Sequence, residues 1–184
     1  MKLWMLRHAP VLLPPGLCYG ASDVAADTAL TREAAKAFAP LPPQGTPVWV
    51  SGLQRAQQLA GALQTERPDL GAVRVDTRLN EMDFGTWELQ RWDAVPRSAF
   101  DEWMADFAHH RFGGMESTQQ LLYRVAAALG DLRPATSTDV VWVTHAGVIR
   151  AVQHIVGSGG PHIREAGEWP KDAPLPGAWM SLEF

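Results

Sequence analysis

Arg7 and His8 directly follow the apolar run Leu3-Trp4-Met5-Leu6, and the same pattern recurs twice more. Ser51-Gly52-Leu53-Gln54-Arg55 comes after Val48-Trp49-Val50, and Thr144-His145-Ala146-Gly147 comes after Val140 to Val143. Two guanidiniums and two imidazoles, gathered at one edge beside a helix start near His145, make a site for a compact anion such as a phosphate. A neutral imidazole can attack phosphorus if its other ring nitrogen is held by a hydrogen bond, and either His8 or His145 has the chemistry to do so. Arginines would then meet the charge on the non-bridging oxygens, the dominant demand of phosphoryl transfer. Asp76, Glu81, Asp83 and Glu88 follow Val73-Arg74-Val75. A carboxyl beside a bound dianion has its pKa raised by like charge, which suits it to protonate an alkoxide leaving group. No metal is needed by this scheme.

The elements that must position these groups are short strands alternating with longer helical patterns. Strand signals cover Leu3 to Leu6, Val48 to Val50, Val73 to Val75, Val140 to Val143 and Ala178 to Phe184. Helical patterns cover Thr31 to Ala39, Leu53 to Gln64, Ser98 to His110, Ser117 to Leu132 and Val148 to Val156. Runs that are apolar on successive residues predict strands covered on both faces, hence an α/β class with a mostly parallel sheet between two helical layers. In such sheets ligands bind beyond the carboxyl ends of the strands, where the basic residues stand. Thr31 reads as the N-cap of the first helix, and Pro40, Pro42, Pro43 and Pro47 close it. Two Pro/Gly-rich loops, Pro14 to Gly20 and Pro170 to Gly177, read as surface turns, the first starting close after His8.

Composition narrows the alternatives. With 16 Lys+Arg against 20 Asp+Glu and a net charge of -4, the chain has no basic excess for nucleic acid or an anionic membrane surface. Cys18 is the only cysteine, which excludes an internal disulfide, a thiolate zinc site and an iron–sulfur cluster, and makes the cytoplasm the expected location. Arg7 and His8 interrupt the N-terminal apolar run before a signal-peptide core or a membrane span could form. The length suits one domain, residues 1–184.

The motifs Leu6-Arg7-His8-Ala9, Ser51 to Ala60, Leu79 to Glu88 and Val143 to Arg150, in that order, resemble the histidine phosphatase superfamily, the phosphoglycerate-mutase-like enzymes. Gly114-Met115-Glu116-Ser117 is similar to that family's Gly-Glu-Ser helix start. The resemblance implies a three-layer α/β/α sandwich with His8 as the phosphorylated nucleophile. Arg7, Arg55, His145 and Ala146 would cradle the phosphoryl group, and Glu81 would be the proton donor to the leaving oxygen. No cofactor and no metal are expected. The compact length and the Leu79 to Glu88 stretch look most like the α-ribazole phosphatase branch, so the expected partner is a small phosphorylated substrate; self-association as a homodimer is left open. The family's glycine after the histidine, and its small polar stretch, are replaced here by Ala9-Pro10-Val11-Leu12-Leu13-Pro14, which alters one wall of the pocket. A mutase, a broad phosphatase and a catalytically silent phosphate-binding domain are the competing readings.

Other motifs have plainer explanations. Asp83-Phe84-Gly85 lacks the rest of a kinase signature set. Gly157-Ser158-Gly159-Gly160 follows a helix and lacks the Lys-Ser/Thr ending of a phosphate loop, so it reads as helix termination. His109-His110 reads as a solvated helix end, since adjacent residues diverge on a helix. Trp4, Trp49 and Trp142 are expected in the core, Asp83 and Glu88 are expected to be structural or pocket-rim carboxylates, and residues 92–112 are a candidate helical cap over the substrate.

Overall fold

The computed structural model describes residues 1–132 and 138–183. Its strands are β1 (Lys2–Arg7), β2 (Val48–Val50), β3 (Val73–Val75), β4 (Val140–Thr144) and β5 (Trp179–Glu183). The α-helices are α1 (Thr28–Phe38), α2 (Gln54–Glu66), α3 (Arg97–Ala105), α4 (Thr118–Leu132) and α5 (Ala146–Ser158). The five strands form one sheet in the order β3-β2-β4-β1-β5, with β1 to β4 mutually parallel and β5 antiparallel at the edge beside β1.

Side chains alternate across this sheet and divide the core in two. Leu3 and Met5 of β1, with Val140 and Trp142 of β4, pack under α4 and α5 against Leu122, Val125, Val148 and Val152. Leu6, Val141, Val143, Val48 and Val50 face the other way, against α1 and α2 through Ala35, Phe38, Leu59 and Leu63. The doubly covered strands β1 and β4 are those whose sequences are apolar throughout their central residues. β3 is the exception: it pairs at the outer edge, and all three of its residues are exposed.

Several boundaries differ from the sequence pattern for local reasons. Asp27, not Thr31, caps α1: its carboxylate accepts the Leu30 N–H at 2.9 Å, while buried Thr31 turns its hydroxyl back to the Asp27 carbonyl. The helix expected to reach His110 stops at Ala105, because the chain turns to bury Phe107 and Ala108. His109 is exposed in the turn that follows, where its N–H donates to Asp106 Oδ1. α5 runs through Gly157 and Ser158 and ends at Gly159, whose φ of 78° is left-handed. Of the expected core tryptophans only Trp142 is fully buried; Trp49 stacks on it at 6.2 Å, half-covered by Arg74, and Trp4 is half-buried with its indole N–H on Asp139. Phe184, expected in the last strand, lies outside the described residues.

An aromatic cluster fixes the segment between the short turn Trp92–Ala94 and α4. Phe112, fully buried, is ringed by Phe84, Trp87, Trp92, Phe100 and Trp103 at centroid distances of 4.5 to 6.3 Å. Among the described residues, no helix is long and apolar enough to cross a membrane.

Candidate active site

Parallel pairing brings the predicted groups together. The register sets Arg7 opposite Thr144 and Val50 opposite Val143, so the carboxyl ends of β1, β2 and β4 lie side by side at one sheet edge. His8 leaves β1 with its N–H on the Thr144 carbonyl, and Ser51 leaves β2 with its N–H on the Val143 carbonyl. The rings of His8 and His145 are consequently 5.1 Å apart.

Both arginines are held by backbone carbonyls instead of carboxylates. Arg55, with no exposed surface, donates from Nη1 to Ser22 O at 2.8 Å and from Nη2 to Gly20 O at 2.6 Å, and lies over the Tyr19 ring. Arg7 donates from Nη1 to Pro174 O at 2.8 Å. Neither forms an ion pair among the described residues, and each keeps a buried, unpartnered Nε–H. Their charge is therefore available to an incoming anion. The two loops expected to be plain surface turns supply this framing: residue 20 closes the first, and the second provides Pro174 and also the Gly177 N–H bonds to the Arg7 and His8 carbonyls.

The histidine tautomers follow from what each nitrogen meets. His8 Nδ1 is 2.7 Å from the Ala9 carbonyl, which can only accept, so Nδ1 carries the proton and Nε2 the lone pair. Burial, then the charges of Arg55 and Arg7, push the His8 pKa down to about 3, so the ring is neutral at ordinary pH. Asn80 Oδ1 accepts the Gly52 N–H at 2.7 Å and also the Ser51 hydroxyl proton at 2.8 Å. Ser51 Oγ is thus left as the acceptor for His145 Nε2, 2.8 Å away, which must carry a proton. His145 Nδ1 is buried without a partner, and burial followed by the Arg55 charge holds this ring well below its usual pKa. Ala9, at the departure from the family pattern, is fully buried, and the next carbonyl, Pro10 O, accepts the Asp27 N–H ahead of α1.

These two histidines predict an acid-sensitive fold. Below about pH 6.5 the unfolded chain binds protons that the folded rings refuse, so stability falls as pH drops, by up to about 1.4 kcal/mol per pH unit for each ring. Urea denaturation at pH 7, 6 and 5 should show this loss, and His8→Gln should remove about half of the slope, the His145 share remaining; a pH-independent midpoint would contradict it.

Glu81 reaches the same edge from the segment after β3. Its Oε2 accepts the Gly147 N–H at the start of α5 at 3.0 Å, and Oε1 accepts the Met82 N–H at 3.1 Å. A side chain at position 147 would collide with Glu81 Oε1, so glycine is what allows the carboxylate so near the helix N-terminus. Ala146 opens α5, with its backbone among the first-turn groups that have no intrahelical partner. The other two carboxylates are occupied structurally: Asp83 accepts the Gly85 N–H, and Glu88 accepts N–H groups of Gly20, Ala21, Ser22 and Phe84 and the Ser22 hydroxyl. Burial pushes the Glu88 carboxyl up, but those hydrogen bonds outweigh it and hold the group below the usual range. Glu88 thereby shapes the loop whose carbonyls grip Arg55.

A family model described as the histidine phosphatase superfamily, branch 1, matches residues 3–166. The chain belongs to this superfamily. Among solved structures, mycobacterial hydrolase 2 superposes with a TM-score of 0.81 at 23% identity, over 98% of this chain and 80% of that one. A mycobacterial glucosyl-3-phosphoglycerate phosphatase gives 0.72 at 26% identity, over 84% and 78%. A candidate α-ribazole-5′-phosphate phosphatase from Escherichia coli K-12 gives 0.74 at 24% identity, over 98% and 89%. A search of curated protein sequences found no match.

Within this histidine phosphatase fold, the sequence reading missed the groups that hold the predicted ones. Arg124 of α4 uses its whole guanidinium on the Glu81 segment, donating to the carbonyls of Arg78, Asn80 and Glu81 and to both oxygens of Glu116. Ser51 carried a signal, since it follows β2 as Arg7-His8 follow the apolar part of β1. Arg124 carried none, because an arginine on an amphipathic helix ordinarily reads as surface. Among the described residues, no cluster of three or more His, Cys, Asp or Glu side chains is placed to hold a metal ion.

Proposed function

We propose that the chain is a metal-independent phosphomonoester hydrolase acting through a phosphohistidine at His8, with α-ribazole 5′-phosphate or a related phosphate of cobalamin synthesis as its substrate. The observation that carries this reading is the Nδ1–H to Ala9 O bond, which leaves His8 Nε2 unprotonated beside two arginines that have no carboxylate partner. Nε2 attacks phosphorus, the bond to the leaving oxygen breaks, and Glu81 gives that oxygen its proton. The Glu81 carboxylate then takes a proton from water, whose oxygen attacks the phosphohistidine, releasing phosphate and restoring His8. Arg7, Arg55 and the first-turn backbone at Ala146 meet the phosphoryl charge. A bound dianion offsets the field of Arg55, so His145 Nδ1 can take up a proton and donate as well.

The α-ribazole assignment is supported by the resemblance of Leu79 to Glu88 to that branch and by the Escherichia coli neighbour. A cytoplasmic setting is supported by Cys18, a buried free thiol. Incubation with p-nitrophenyl phosphate, without added metal, should release phosphate, and vanadate should block it. Rates on α-ribazole 5′-phosphate should then exceed those on 3-phosphoglycerate, sugar phosphates and nucleotides. Absence of turnover across that panel would leave a phosphate-binding domain; transfer of phosphate between the oxygens of a sugar acid would indicate a mutase.

A further inference from the structure

A cavity of about 130 Å³ adjoins Glu81 and Gly147. Trp103, Phe107 and Trp169 form its walls, from segments that no motif of the site includes. Trp103 is held in place by stacking on Phe112 at 4.5 Å and on Phe107 at 5.5 Å, and Phe107 meets Trp169 edge-on at 6.2 Å. The walls are therefore shaped before any ligand arrives. Three lining groups have buried polar atoms with no protein partner: Trp103 Nε1–H, Thr118 Oγ1 and Arg150 Nε–H. Thr118 is only 1% exposed, and a buried hydroxyl without a hydrogen bond is costly enough to call for a partner from outside the protein, a water or a polar ligand atom.

We propose that this cavity binds a planar aromatic ring on the alcohol part of the substrate, with a hydrogen-bond acceptor on the ring's edge. The inference rests on the phosphomonoesterase reading, since it is Glu81 that joins the cavity to the phosphate site. Size admits one ring, because an apolar cavity of about 150 Å³ takes up benzene, so of the fused two-ring base of α-ribazole the cavity takes one ring and the other stays outside it. The aromatic walls suit a π-face or ring edge, and the unpartnered groups, two of them donors only, suit a ring nitrogen or carbonyl. The ring's burial then serves to align the ester oxygen with Glu81, so losing it lowers kcat as well as raising KM.

The test compares kcat/KM within pairs that share a leaving oxygen and differ only in the ring: α-ribazole 5′-phosphate against ribose 5-phosphate, and 2-phenylethyl phosphate against ethyl phosphate. The ring-bearing member should be favoured by on the order of 100-fold in the first pair and 10-fold in the second. Trp169→Ala should collapse both ratios. Thr118→Val and Trp103→Phe should lower the first ratio about 10-fold and leave the second, whose phenyl ring has no acceptor. Because each ratio is internal to one protein, partial misfolding does not mimic the effect. Ratios near one, ratios unmoved by the substitutions, or 3-phosphoglycerate as the best substrate would overturn the proposal. Calorimetric binding of α-ribazole itself reads the cavity without turnover. Binding without hydrolysis of any ester would refute the phosphatase reading and keep the cavity, whereas hydrolysis with neither ring preference nor ring binding would do the reverse.

Discussion

Replacing His8 with alanine is expected to lower phosphate release by on the order of 10⁴-fold or more, the scale seen when a covalent nucleophile is removed. The geometry behind this expectation is specific. His8 Nε2 has its lone pair because Nδ1 is committed to Ala9 O, and the ring stays neutral because burial and two arginines keep its pKa at about 3. His145 cannot take over the role through Nε2, which is committed as a donor to Ser51 Oγ. Rapid quench of the wild type with radiolabelled substrate should trap phosphate on the protein through an acid-labile, base-stable bond, and His8→Ala should abolish the label. Labelling that persists in His8→Ala and disappears in His145→Ala would exchange the two assignments.

Glu81→Gln should separate substrates by leaving group. Hydrolysis of alkyl phosphates, whose alkoxide must be protonated as it departs, should slow by roughly 10²- to 10⁴-fold, the range of general acid catalysis. Cleavage of p-nitrophenyl phosphate should slow much less in its first step, because that leaving group needs no proton. The amide oxygen introduced by the substitution can still accept the Gly147 N–H that Glu81 Oε2 now engages, so the proton donor is removed with little change to the frame. Equal slowing of both substrate types would shift the acid role to Asp83 or Glu88. Their hydrogen bonds argue against that, since Glu88 already receives five donors from four residues.

The proposed acid and the proposed nucleophile are positioned from different directions. β1 and β4 deliver His8 and His145 as strand ends, with little freedom left to lose on binding. Glu81 comes on an irregular segment, whose backbone is bound by Arg124 of α4 and by Glu116 just ahead of that helix. α4 thus serves both the core, through Leu122 and Val125, and the site, through Arg124 on its half-buried side.

The amino-acid sequence by itself determined the sheet and which side chains stand at its edge. Apolar runs ending in Arg7-His8 and Thr144-His145 are legible because a doubly covered parallel strand must be apolar and must end where the chain turns toward its helix, so the functional residue sits at a known offset. The tertiary structure alone decided which histidine nitrogen is free, what holds the arginines, and what lies beyond Glu81. Those outcomes depend on carbonyls of Ala9, Gly20, Ser22 and Pro174, and every residue type has a carbonyl, so no pattern of side chains announces them. Trp103 and Phe107 lie in the stretch 92–112 read as a candidate cap, but Thr118 and Trp169 come from two other stretches, and no sequence pattern marks the four as neighbours. It is their meeting beside Glu81, with polar atoms left over, that turns them into a place for a ligand.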